Sequence, residues 1–121
     1  MSATVSVICL AYNHEKYIRK TLEGFVAQKT NFSVEYIVHD DASIDSTASI
    51  IQEFEEKYPD LIKPIYQKEN QYSKGVAITR NLQMQVQGKY IAFCEGDDYW
   101  IDEYKLQKQV AFMEQHPECT L

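Results

Sequence analysis

Nothing in this 121-residue chain approaches the ~20 consecutive apolar residues that a membrane-spanning helix requires. A secretory leader is missing too: Met1-Ser2-Ala3-Thr4 has no basic n-region, and the apolar run after it is short. The expected compartment is the cytoplasm, with peripheral attachment to the inner face of a membrane open to a longer protein. Basic clusters that would bind a nucleic-acid backbone are absent. The net charge is −6, and Lys16, Arg19 and Lys20 form only a small group suited to the solvent face of a helix. Nucleic acid is therefore not an expected partner. Cysteine is scarce: Cys9, Cys94 and Cys119 lack metal-ligand spacing, and an odd count argues against a disulfide framework. Cys9 and Cys94 fall in strand-like runs and read as small core residues of a reducing compartment. Asn31-Phe32-Ser33 matches a glycosylation sequon, which means nothing without export.

Several catalytic fingerprints are missing as well. There is no GxxxxGK[ST] for a phosphate loop, no GxGxxG after the first strand for a dinucleotide, and no GxSxG nucleophile elbow. No zinc-type spacing surrounds His14, His39 or His116, so each isolated histidine reads as structural or surface. Internal repeats and low-complexity tracts are also absent.

What is present is an alternation of strand and helix. Thr4 to Ala11 is β-branched and apolar, a buried first strand, and Asn13 is placed to cap a helix over Glu15 to Gln28 whose core face is Ile18, Leu22, Phe25 and Val26. Val34 to His39 is the second strand. Asp45 or Ser43 caps the next helix, with Ala48, Ile51, Phe54 and Tyr58 as its stripe and Pro59 as its stop. Leu61 to Gln67 is a third strand, placed at or near a sheet edge because Pro64 cannot donate to a ladder. Gly75 leads into a helix to about Gln87, with Val76, Thr79, Leu82 and Val86 inward and Gly88 as its stop. Tyr90 to Cys94 is the fourth strand. A last helix begins at Asp102, carries Tyr104 or Lys105, Leu106, Val110 and Met113 on its inner side, and ends at His116-Pro117. Four alternations with strand-helix-strand connections predict an α/β, Rossmann-like, mostly parallel sheet with helices on both faces.

The stretch with most chemistry is Tyr90-Ile91-Ala92-Phe93-Cys94-Glu95-Gly96-Asp97-Asp98-Tyr99-Trp100. A buried strand breaks there into three carboxylates around a glycine, at the edge where α/β sheets bind ligands. The plain reading is a solvated acidic turn in which Asp97 or Asp98 caps a helix. The sharper one is an oxygen-ligand site for Mg²⁺ or Mn²⁺, which would relieve the repulsion between adjacent carboxylates. A second acidic cluster, Asp40-Asp41-Ala42-Ser43-Ile44-Asp45, follows the second strand, and Tyr12 follows the first. Together they suit a nucleotide diphosphate with a metal. The aromatic ring would stack on a base, one carboxylate would accept from a base N–H or ribose hydroxyl, and another would hold the metal on the diphosphate.

Val5-Ser6-Val7-Ile8 with Ala11-Tyr12-Asn13, Asp40-Asp41-Ala42-Ser43-Ile44-Asp45-Ser46-Thr47, Gly75 with Arg80-Asn81, Gly88-Lys89-Tyr90-Ile91, and Gly96-Asp97-Asp98 occur in an order and spacing that resembles family 2 glycosyltransferases. The resemblance runs from about Val5 to Pro117. It implies a GT-A fold and inverting transfer of a sugar from a nucleotide diphosphate donor, commonly a UDP-sugar, to a glycan or lipid-linked acceptor in polysaccharide biosynthesis. Carried over by position, Tyr12 resembles the residue that packs on the base. Asp41, with Asp40 beside it, resembles the carboxylate that contacts the uracil or its equivalent. Arg80 resembles the basic residue near the donor diphosphate or base. Asp97 and Asp98 resemble the acidic motif that contacts the ribose and holds Mn²⁺ or Mg²⁺, with the metal ligand at either.

Three departures from the family pattern stand out. Ala42 replaces the commoner glycine after the acidic pair, and Glu95 stands where the first aspartate of an Asp-x-Asp motif often lies. The acceptor site and catalytic base of such enzymes lie beyond the acidic motif, whereas this chain stops at Leu121. Residues 1–121 are therefore expected to be the donor-binding part of a truncated GT-A domain, and no base is assigned. The alternative is a non-catalytic nucleotide-binding fragment. A phosphoacceptor receiver would place its acidic pair after the first strand, and a nucleotide-sugar pyrophosphorylase would place a glycine-rich loop there; Ala11-Tyr12-Asn13 is neither. An uncovered sheet edge could pair with another copy, and the oligomeric state stays open.

Overall fold

The computed structural model describes residues 4–71, 82, 89–97 and 99–115. Its elements are β1 (Val5–Ala11), α1 (Ile18–Val26), β2 (Val34–Asp40), α2 (Thr47–Lys57), β3 (Ile62–Tyr66), β4 (Tyr90–Glu95) and α3 (Lys105–Gln115). The strands form one parallel sheet in the order β3-β2-β1-β4. β1 is central, pairing Val7 with both Tyr36 and Ala92, and Ala11 with Asp40. Its run of Val, Ile and Cys is buried almost end to end, as expected for a parallel strand covered on both faces. β3 is an edge, in keeping with Pro64, whose missing N–H a central strand could not tolerate.

Strand alternation divides the core. Val5, Val7, Cys9, Ala11, Tyr36, Val38, Ala92 and Cys94 face the layer made by α1, α2 and α3, where Leu22, Phe25, Ile51, Phe54, Leu106 and Val110 meet them. β1-α1-β2 and β2-α2-β3 step across the sheet in the same direction, so right-handed crossovers put α1 and α2 side by side on one face. Ser6, Ile8 and His39 point to the other face and are also buried. Leu82 is helical and buried; the rest of the helix expected over Gly75 to Gln87 lies outside the described residues. No described helix is long and apolar enough to cross a membrane.

Helices α1 and α3 each start about a turn later than expected. α1 begins at Ile18, not near Glu15, because residues 15–17 form a turn in which the His14 carbonyl accepts from the Tyr17 and Ile18 amides. Asn13 does not cap it; its backbone is left-handed, with φ of 53°, and its side chain is used elsewhere. For α2, Asp45 rather than Ser43 supplies the acceptor, taking the Thr47 N–H at 2.9 Å. α3 begins at Lys105, where Asp102 accepts from the Tyr104 amide, and it buries Leu106, Val110 and Met113. Cys9 and Cys94 are free and buried on neighbouring strands; their mutual hydrogen bond, then burial, push the Cys9 thiol well above its ordinary value, so it is no nucleophile.

Ala42 is the other left-handed non-glycine residue among the described residues, with φ of 61°. A Cβ in that region costs about 1–2 kcal/mol, part of which glycine returns through its freer unfolded chain. Ala42→Gly is expected to raise stability by about 0.5–1 kcal/mol in urea unfolding. A loss of stability would show that the alanine methyl is held by compensating contacts.

Candidate functional site

Three loops leave the sheet at one level. The Asp41 amide donates to the Ala11 carbonyl and the Gly96 amide to the Leu10 carbonyl, both at 2.9 Å, so the ladders on either side of β1 continue one residue past β2 and β4. Tyr12, Asp41 and Asp97 therefore emerge from adjacent strands, spaced by roughly 4.8 Å each, at the carboxyl edge of the sheet. Tyr12 is 44% exposed, as a ring must be to receive a flat ligand. Asp97 has a half-exposed side chain, and Asp41 is only 4% exposed.

The first two loops are stitched together. The Asn13 amide donates to Ser43 Oγ and the Asn13 side-chain oxygen accepts from the Ile44 amide, both at 2.9 Å. The His14 amide donates to Thr47 Oγ1 at 2.9 Å, and the Glu15 amide to Asp45 at 3.2 Å. Glu15 accepts in return from the Ser46 amide at 3.0 Å. Such a lattice fixes Tyr12 relative to Asp41 before any ligand arrives. Asp40 belongs to this lattice: it is buried, and its carboxylate accepts from both the hydroxyl and the amide of Ser43. Asp41 accepts from the Gln71 amide at 2.6 Å, while its carbonyl accepts from the Asn70 side chain, which draws the segment after β3 over the site.

The acidic loop is anchored from below. Thr21 Oγ1 donates to the Gly96 carbonyl at 2.9 Å. Gly24 lets the backbone of Trp100 approach α1, since a Cβ there would lie 3.1 Å from the Trp100 carbonyl oxygen. The Trp100 ring then tilts against Phe25, 5.0 Å between centroids, and Phe25 stacks on Tyr36 at 4.6 Å. Gln28 completes the fastening through the Asp102 carbonyl and the Leu106 amide.

His39 and Asp45 are among the titrating groups perturbed beside these loops. His39 is held below its ordinary value by burial, against the opposing pull of Asp41 and Asp40. For Asp45, burial pushes the carboxyl up, but the hydroxyl and amide of Thr47 and the amide of Glu15 outweigh it and hold it below its usual value. Asp45→Asn is expected to cost about 1–2 kcal/mol at neutral pH, the worth of charge-assisted bonds at a helix start. Because the folded carboxyl is depressed, that stability is present above the ordinary 3.8 and is lost as the pH falls through the folded value. Unfolding curves of the wild type and Asp45→Asn should therefore converge in acid; a constant gap would refute this account.

Tyr12, Asp40, Asp41 and Asp97 are thus brought to one edge, with Asp40 turned into its own loop. Arg80 and Asp98 lie outside the described residues. Among the described residues no three His, Cys, Asp or Glu side chains gather as a metal site. The motifs contained Asn13, Asp45 and Thr47 without showing that they tie the first two loops together, and they left out His14. Asn13 carried a faint signal, since asparagine tolerates left-handed backbone. Asp45-Ser46-Thr47 carried another, as a helix-start pattern. His14 carried none, because its neighbours come from a distant strand.

The glycosyl transferase family 2 model matches residues 6–120. An uncharacterized protein of Mycobacterium tuberculosis is 47% identical over 97% of this chain, which corresponds to 33% of that protein. The Escherichia coli UDP-Glc:alpha-D-GlcNAc-diphosphoundecaprenol beta-1,3-glucosyltransferase WfaP is 39% identical over 91% of this chain and 41% of its own length. The crystal structure of Staphylococcus aureus TarS 1-349 in complex with UDP superposes over 97% of this chain and 33% of that one, with a TM-score of 0.76 at 33% identity. The chain therefore belongs to glycosyl transferase family 2, and its sheet and helices are those of the Rossmann-like GT-A glycosyltransferases. It spans about a third of the length of the first of these relatives.

Proposed function

We propose that this chain is the donor-binding part of an inverting glycosyltransferase that takes its sugar from a UDP-sugar. The observation that carries this reading is the convergence of Tyr12, Asp41 and Asp97 from the ends of β1, β2 and β4 on one edge of the sheet. Tyr12 packs on the base, and Asp41, buried at the floor, accepts from it. Asp97 contacts the ribose and, with Asp98, holds Mn²⁺ or Mg²⁺. Asp40 shapes the loop that presents Asp41, and Arg80 is the basic residue that the family pattern assigns to the diphosphate or base.

The donor set suits a hard cation: Asp97 is an oxygen ligand, half-exposed, with no lysine or arginine paired to it among the described residues. Such an ion supplies neutralisation of the charge that develops on a departing diphosphate. The chain's own residues bind and orient the nucleotide. UDP is favoured over other nucleotides by the solved neighbour that carries it. A lipid-linked or glycan acceptor is favoured by the diphosphoundecaprenol substrate named for WfaP, and would bring the whole protein to the inner face of a membrane. The acceptor site and the base lie outside these residues. The second reading, nucleotide binding without transfer, is favoured by the one-third coverage of the relatives.

Calorimetric titration with UDP, GDP and dTDP, with and without Mn²⁺, tests the donor reading. Metal-enhanced binding of UDP over the other two is the expected result, and absence of binding by the folded protein would overturn it. Transfer of label from a UDP-sugar to a lipid-linked acceptor separates the enzyme from the binding module.

A further inference from the structure

His14 stands where all three loops meet, and no motif of the family reading uses it. Its amide donates to Thr47 Oγ1, tying it to the start of α2. Its carbonyl receives the first turn of α1. Its ring lies so close to Gly96 that a Cβ on that glycine would fall 2.6 Å from Nδ1. Real carbon atoms do not approach a ring nitrogen so nearly, which explains why the acidic loop turns on a glycine there. The ring is only partly accessible, and its other nitrogen, Nε2, faces Asp97 Oδ2 at 4.0 Å.

The tautomer follows from the neighbours. The Tyr12 amide points at Nδ1, 3.4 Å away, which makes Nδ1 the acceptor and leaves the proton on Nε2. The N–H therefore aims at the carboxylate. A gap of 4.0 Å is too long for a hydrogen bond, but Asp97 is half-exposed, and a turn of its carboxylate would close it. An aspartate that must present one oxygen to a ligand gains from a fixed donor on the other.

We infer that His14 is a positioning residue of the donor site, which orients the Asp97 carboxylate through Nε2–H and couples it to Tyr12 through Nδ1. This rests on the reading of Asp97 as a metal- and ribose-contacting residue. The partner of His14 is thus the nucleoside diphosphate–cation complex, reached through Asp97 and not by direct contact.

Two replacements separate the ring from its donor. His14→Phe keeps a ring against Gly96 and removes the N–H. His14→Gln gives up the ring and keeps a side-chain N–H of similar reach. UDP titration with and without Mn²⁺, alongside a melting curve for each variant, reads the metal-dependent gain in affinity apart from fold stability. Loss of an outer partner of a metal ligand typically costs about 10–100-fold in metal-dependent affinity. The Phe variant is expected to lose at least ~10-fold of that gain, a larger loss than any fall in its metal-free UDP affinity. The Gln variant is expected to recover most of it. A Phe variant with the full wild-type gain, or a Gln variant that melts normally yet fails as badly as Phe, would overturn the role of His14. A wild-type protein that binds no UDP under either condition would overturn the donor reading itself, and His14 with it.

Discussion

Asp97→Ala is expected to abolish the Mn²⁺-dependent part of UDP binding, a loss of roughly 100-fold or more, with little change in melting temperature. The asymmetry between binding and stability follows from position. Asp97 lies beyond the last ladder bond of β4, its side chain is half-exposed, and the side chain facing it among the described residues is His14, at 4.0 Å. Removing it leaves no buried group unpaired, so the fold has little to lose. Its neighbour Asp98 shares the motif, so Asp98→Ala and the double variant belong in the same series. Titration calorimetry with UDP at fixed Mn²⁺ reads the effect. Unchanged metal dependence in the double variant would remove the metal site from this loop altogether.

The opposite balance holds for Phe25. It is almost wholly buried, stacked on Tyr36 and touching Trp100, so it joins the centre of the sheet to the residue that ends the acidic loop. Phe25→Ala is expected to cost about 3–5 kcal/mol, the usual range for deleting a buried ring. For a chain of this size that corresponds to a fall in melting temperature of roughly 10–20 °C. Against a total stability of about 5–15 kcal/mol for small domains, this is a large share. Tyr36 makes the site less forgiving still. Its buried hydroxyl has no partner among the described residues, and burial pushes that phenol well above its ordinary value. Thermal melts of Phe25→Ala and the milder Phe25→Leu check the prediction. A fall of only a degree or two for alanine would mean that neighbouring side chains collapse into the space. In the surviving folded fraction, UDP affinity should weaken, because Trp100 would no longer hold the loop carrying Asp97 against α1.

Much of this was legible before any coordinates. The strands read over Thr4 to Ala11, Val34 to His39 and Tyr90 to Cys94 match β1, β2 and β4 to within a residue, because largely apolar, β-branched runs of that length bounded by polar loops are buried in a sheet. Pro64 marked its strand as an edge for want of a donor. Helix starts were read less well. Asn13 looks like a cap by residue type, yet its side chain goes to the Ile44 amide, a partner on a loop that no local pattern reveals. Asp45 was offered beside Ser43, and only the geometry of Thr47 chose between them.

The sequence by itself determined the alternation of elements, the burial of β1, and the placement of aromatic and acidic residues just beyond strand ends. These are consequences of local periodicity and of the polarity of single residues. Only the tertiary structure decided what those residues do to one another. It placed β1 between β2 and β4, tied Asp40 to Ser43, set Asp41 under Gln71, and pressed His14 against Gly96. The physical reason is range. Hydrophobic patterning acts within a few residues along the chain, whereas the site is made by pairings between strands whose order depends on crossover handedness and packing.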